Sequence, residues 1–156
     1  MDYDVNTLFN QSLMLFDQNY TDSADFLTQA ADFLYKKGYV RASYKEAIIK
    51  REELYPTGLP TDGVSVAIPH TDIEHAIKPC ILVAKPANRV PFKQMADGIN
   101  DVYVQLIFLV VVTDPKKEVQ ILKKLMDCFL CKEKLQELAS VNTPEIMIDA
   151  ISRLLN

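Results

Sequence analysis

The chain carries two histidines, His70 and His75, within the segment G-V-S-V-A-I-P-H-T-D-I-E-H-A at positions 63–76. A neutral imidazole is a good nucleophile, and an ordinary pKa near ~6.5 leaves most of it uncharged just above pH 7. A lone histidine beside apolar sequence is more often a hydrogen-bonded structural residue, so His70 needs a further argument. Its position supplies one. Residues 64–68 form a short apolar run rich in β-branched side chains, which reads as a buried strand stopped by Pro69. His70 therefore stands at a strand's carboxyl end, where open α/β sheets place their chemistry. Thr71 and Asp72 offer side-chain oxygens to cap a short helical turn through Ile73, Glu74, His75 and Ala76. An imidazole between a strand end and a helix start, close to backbone N–H groups, suits a nucleophile that must carry an anion.

Other groupings are less specific. His70, His75 and Asp72 or Cys80 make a zinc set on paper. However, His-x4-His lacks the one-face spacing of a zinc-protease helix, and the intervening glutamate has the wrong offset. No metal or cofactor is expected, and His75 reads as a polar residue at the rim of the site or as structural. Cys128 and Cys131 read as core positions of one amphipathic helix beside Phe129 and Leu130 rather than as a redox pair. Arg51-Glu52-Glu53 ends a helix just before Pro56-Thr57-Gly58 and by itself reads as a solvated charged face. No phosphate-cradling Gly-rich loop, G-x-S-x-G elbow or specific carboxylate pair occurs.

The elements that must position His70 can be read around it. Residues 8–16 read as an irregular first strand. Thr21 or Asp22 caps a helix with the stripe Phe26, Leu27, Ala30, Ala31 and Leu34, stopped at Lys36-Lys37-Gly38. Ser43 with Glu46 resembles a capping box opening a second helix through Ala47, Ile48, Arg51 and Leu54. Residues 80–84 read as a strand, 90–92 as an edge strand because of Pro91, and 102–112 as one long strand buried on both faces. After Asp114-Pro115 a helix buries Val119, Leu122, Leu125, Met126 and Phe129. Residues 132–138 and 144–155 read as two more helices, the latter with Ile146, Met147, Ala150, Ile151 and Leu154 on one face. The expected class is α/β, a mixed sheet covered by helices on both faces in a three-layer sandwich.

Length and composition agree with one domain over residues 1–156. The chain is 49% hydrophobic and 24% charged, ordinary for a globular protein. A net charge of -4 without a basic run argues against nucleic acid as a partner, while an acidic face could meet a basic protein. No apolar run approaches the ~20 residues of a spanning helix. The acidic start Met1-Asp2-Tyr3-Asp4 lacks the basic region of a signal peptide. Cys80, Cys128 and Cys131 cannot all pair with one another, which favours a reduced, cytoplasmic setting.

Taken together, R-E-E-L-Y-P-T-G, G-V-S-V-A-I-P-H-T, the long apolar strand and D-P-K-K-E-V-Q-I-L-K-K-L resemble the enzyme IIA domains of the bacterial phosphotransferase system, in the fructose/mannitol superfamily. The likeness is greatest to the galactitol type, through I-P-H with a second histidine in H-A, the segment K-P-A-N-R-V-P-F, and N-D-V before the central strand. It runs from about Ala31 to the last helix.

The resemblance implies a cytoplasmic phosphohistidine carrier of sugar transport. It implies that His70 accepts a phosphoryl group from phospho-HPr and passes it to a cysteine of a IIB component. The IIC membrane permease would be an indirect partner. Arg51 matches an arginine near the family's active site. Glu118 stands where fructose and mannitol members carry a second histidine, a departure shared with the galactitol type. On this pattern the Thr71 hydroxyl and the backbone N–H groups of the following turn would receive phosphoryl oxygens. Arg51 would offset the added charge. His75 is a candidate to hydrogen-bond the phosphoryl group or the second nitrogen of His70. Two rivals keep the fold: a regulatory IIA paralogue that signals through its phosphorylation state, and an α/β binding domain with His70 buried and inert.

Overall fold

The computed structural model describes residues 5–155. Two 3-10 turns, Val5–Leu8 and Gln11–Leu13, lead into strand β1 (Met14–Phe16), followed by helices α1 (Ser23–Lys36) and α2 (Tyr44–Leu54). Short strands β2 (Gly58–Leu59) and β3 (Val66–Ala67) and a 3-10 turn, Ile73–His75, come next. Strands β4 (Cys80–Lys85), β5 (Val90–Lys93), β6 (Asp101–Val104) and β7 (Leu106–Val111) precede helices α3 (Pro115–Phe129), α4 (Lys132–Ser140) and α5 (Pro144–Leu154).

Five strands make one mixed sheet in the order β1-β4-β7-β3-β2, and β5 with β6 makes a separate antiparallel pair. β1 runs parallel to β4 and β3 parallel to β7, whereas β4 and β7 are antiparallel. Side chains of a strand alternate between its faces, and β4 and β7 supply apolar residues to both. Ile81, Val83, Phe108 and Val110 pack with Ile121, Leu125, Phe129, Leu135, Met147 and Ile151 from α3, α4 and α5. Leu82, Ala84, Ile107 and Leu109 pack on the other side with Phe26, Leu27, Ala30, Leu34, Tyr44 and Ile48 from α1 and α2. The expected three-layer α/β arrangement is therefore present. Among the described residues no helix is long and apolar enough to cross a membrane.

Local chemistry explains most element ends. Asp22 accepts the Asp25 N–H at 2.8 Å to open α1, and Gly38, at φ +84°, follows its last turn. Gly58 is required for a different reason. A Cβ there would sit 2.6 Å from the Lys93 carbonyl oxygen, where β2 passes against the β5–β6 pair.

Several expectations need correction. Within 8–16 only Met14–Phe16 is strand, because Asn10 accepts the Ser12 N–H at 2.9 Å and curls the preceding residues into a turn. Residues 102–112 are not one strand: at Gln105, whose N–H donates to the Ser65 carbonyl at 2.8 Å, the chain leaves one sheet for the other. Val119 and Ile146 are exposed rather than buried, and Leu54 likewise faces solvent. Cys128 is buried in α3, but Cys131 lies beyond that helix as the N-cap of α4.

Candidate active site

β3 is short in its own ladder, yet the chain stays beside β7 after it: the Val110 N–H donates to the Pro69 carbonyl at 3.0 Å. His70 itself forms a parallel bridge to Val110, so its backbone is held against the central strand. The side chain is half-buried. Its Nδ1 lies 2.8 Å from the Ile68 carbonyl oxygen. A carbonyl only accepts, so Nδ1 carries the hydrogen and the neutral ring keeps its lone pair on Nε2. The nitrogen left with an open lone pair is thus identified by its neighbour's partner.

α2 and α3 bring charge to this ring. Arg51, in the last turn of α2, lays its guanidinium 4.5 Å over the Tyr55 ring and places one terminal nitrogen 4.0 Å from the Asp72 carboxylate. Its Nε is buried without a hydrogen-bond partner among the described residues. α3 opens with Asp114 accepting the Lys116 N–H at 2.9 Å and Pro115 in the first turn, which sets Glu118 in that same turn. Burial pushes the Glu118 carboxyl above its ordinary range, while His70 and Arg51 pull it down and Asp72 pushes it up. Glu118 Oε2 is also buried and unpartnered. Among the described residues two polar atoms that prefer hydrogen bonds, Arg51 Nε and Glu118 Oε2, are therefore left open, and Glu118 feels the charge of both His70 and Arg51.

Two hollows flank the site. One, of about 330 Å³, is lined by Asp72, Ile73, Glu74, Pro115 and Glu118. The other, of about 250 Å³, has Arg51, Tyr55, Thr71, Asp72 and His75 in its wall. Asp72 divides them. It does not cap the Ile73–His75 turn with its side chain, contrary to expectation; its carboxylate faces Arg51 instead.

His75 plays another part. Its Nδ1 is 2.8 Å from the Ser43 hydroxyl, and its carbonyl accepts the Arg41 N–H at 2.9 Å. Ser43 therefore makes no capping bond to α2, and the expected capping box is replaced by a tie between the α2 entrance and the site turn. The ring nitrogen of His70 that needed an acceptor has found a backbone carbonyl, not His75. Cys80 is buried at the start of β4, where desolvation pushes its thiol up to about 12. Among the described residues no three His, Cys, Asp or Glu side chains converge as metal ligands would.

The largest departure from the sequence expectation is Glu52. It was expected on a solvated face but is buried. One carboxylate oxygen accepts both the Thr57 N–H at 3.1 Å and the Thr57 hydroxyl at 2.6 Å. The Thr57 oxygen in turn accepts the Ile68 N–H at 3.2 Å. Burial pushes the carboxyl of Glu52 up to about 7, against the pull of both Thr57 bonds. Nothing in the type or spacing of these two residues marks the contact, which arises where the end of α2 folds back onto P-T-G.

Residues 7–154 match the family described as phosphoenolpyruvate-dependent sugar phosphotransferase system, EIIA 2. The chain is 34% identical over 107 residues to the galactitol-specific EIIA component of the PTS system from Escherichia coli (strain K12), spanning 69% of this chain and 71% of that protein. Its fold is similar to that of the nitrogen regulatory protein IIA-Ntr from Neisseria meningitidis, with a TM-score of 0.77 at 22% identity over 97% of this chain and 99% of that one. It is also similar to a chain in the complex of enzyme IIA mannitol with phosphorylated enzyme IIB mannitol from Escherichia coli. There the TM-score is 0.71 at 21% identity, over 95% and 98% of the two chains.

Proposed function

The chain belongs to the EIIA 2 family of the phosphoenolpyruvate-dependent sugar phosphotransferase system, and we propose that within it His70 is the phosphoryl carrier between phospho-HPr and a IIB component. The observation that carries this reading is the Nδ1 contact to the Ile68 carbonyl, which leaves Nε2 as the attacking atom. Its lone pair forms a new N–P bond as the donor's N–P bond breaks, and the donor imidazole departs with that electron pair. The IIB thiolate then attacks phosphorus, and the Nε2–P bond breaks in its turn. Such transfers depend on positioning and charge stabilisation more than on covalent help.

Arg51 offsets the incoming charge, since a guanidinium fork matches phosphoryl oxygens and its buried Nε has no other partner. Thr71, in the wall of the Arg51 hollow, contributes its hydroxyl, and the backbone of the following turn supplies further donors. Glu118 stands beside the ring, where its carboxyl meets the field of both His70 and Arg51. No nucleotide or metal takes part. The protein works in the cytoplasm, and the sugar fed through it is galactitol or a related polyol, by likeness to the galactitol-specific relative. The chain is incubated with enzyme I, HPr and phosphoenolpyruvate, and the acid-labile phosphate is located by mass spectrometry. Phosphate on His70 that a cognate IIB then discharges is the expected result. A folded protein that takes up none overturns the reading.

A further inference from the structure

We propose that Glu52 and Thr57 are positioning residues for His70, acting through the Ile68 peptide groups. The β2–β3 ladder pairs Gly58 with Ala67 and Leu59 with Val66. One residue further on, Ile68 donates its N–H to the Thr57 side chain instead, at 3.2 Å. A hydroxyl has one hydrogen. The Thr57 hydroxyl hydrogen goes to Glu52 at 2.6 Å, so the lone pairs are what Ile68 meets. Glu52 also takes the Thr57 N–H at 3.1 Å, which leaves that side chain no freedom to turn.

The same residue, Ile68, presents its carbonyl to His70 Nδ1 at 2.8 Å. A line of hydrogen bonds thus runs from α2 through Thr57 and residue 68 to the reactive ring. The neighbouring Gly58 is held from the other side, since its carbonyl accepts the Met95 N–H at 2.7 Å and no Cβ fits there. A purely stabilising role is a poor account of Glu52, because a buried carboxylate costs more than an apolar side chain of similar volume. Arg51 and Glu52 are adjacent on α2, so one turn of helix serves the reactive ring twice, Arg51 from the solvent side and Glu52 from the core.

The rate consequence rests on the proposed carrier function, while the tautomer consequence does not. Histidine-labelled ¹⁵N NMR reads the His70 tautomer directly, and single-turnover uptake from phospho-HPr reads the rate. In Thr57→Val we expect the Nε2–H form to gain population and the maximal uptake rate to fall about tenfold, with half-saturating phospho-HPr unchanged. Thr57→Ser restores both. If the valine variant does not fold, Thr57→Ala carries the same test. A folded variant with the wild-type tautomer and rate overturns the proposal, as does failure of serine to restore them. If the wild-type chain takes no phosphoryl group, the carrier reading fails, and the tautomer shift alone then upholds or overturns the clamp.

Discussion

His70 Nδ1 and the Ile68 carbonyl oxygen, two residues apart in the chain, lie 2.8 Å from each other and leave Nε2 without a hydrogen bond among the described residues. Phosphate is therefore expected on Nε2, and ³¹P–¹⁵N coupling in the labelled phosphoprotein reads which nitrogen bears it. His70→Ala should take up none while losing about 1 kcal/mol of stability, the worth of one ordinary hydrogen bond. Phosphate found on Nδ1 would contradict the geometry.

Arg51 is stacked on Tyr55 and has a buried Nε with no partner among the described residues. Loss of a charge-assisted hydrogen bond to phosphate, roughly 1.5–3 kcal/mol, predicts a 10- to 100-fold slower uptake in Arg51→Ala. Arg51→Lys should recover little of this, because an ammonium lacks the planar fork. Full recovery by lysine in the same rate assay would mean that charge alone matters.

Glu118 is raised above its ordinary range by burial and sits in the field of His70. A phosphoryl group on that ring adds a like charge next to the carboxylate. Glu118→Gln should then favour the phosphorylated form, shifting the phosphoryl equilibrium with HPr by about 1 kcal/mol, roughly fivefold. Quantifying both phosphoproteins at equilibrium tests this, and an unchanged or reversed equilibrium would count against it.

Glu52 makes folding stability depend on pH. Its carboxyl moves from an ordinary 4.5 in the unfolded chain to about 7 in the fold, so the folded state holds the proton more tightly. Between those values the unfolded state binds fewer protons, and stability falls as pH rises. The loss is on the order of 3 kcal/mol by pH 8, relative to pH 4. The cavity beside Glu52 also carries Asp22, Glu53, Lys93 and Asp101, with Lys93 2.8 Å from Asp101. Urea unfolding of Glu52→Gln at several pH values should show this slope flattened. A slope equal to the wild type's would place the titration elsewhere.

Where the sequence was informative, one physical signal dominated. β4 and the main part of β7 are written as near-continuous β-branched and aliphatic runs because both faces of those strands are covered. The same run conceals the change of sheet at Gln105, since apolar residues on either side serve two different sheets. Helical stripes were legible in their centres and misread at their edges. Val119 lies about 200° around the helix from Ile121, and Ile146 about 100° from Met147, which is enough to reach solvent.

His70, Arg51 and Glu118 stood out through a motif. Glu52 and Thr57 did not, because whether a charged side chain is buried is decided by what folds over it. Neither residue's type or spacing records that Ile68 will arrive there. The Asn10 turn and the Ser43–His75 tie escaped for the same reason, being polar side chains that found partners outside their expected helix or strand.

A ring with one nitrogen tied to its own backbone has a single door. On the proposed carrier role, whichever protein delivers the phosphate has to leave before the next collects it, which predicts ping-pong traffic and no three-protein assembly at His70. Throughput then favours visitors that let go quickly, and a mutation that made either one cling would slow the whole relay even as it tightened binding.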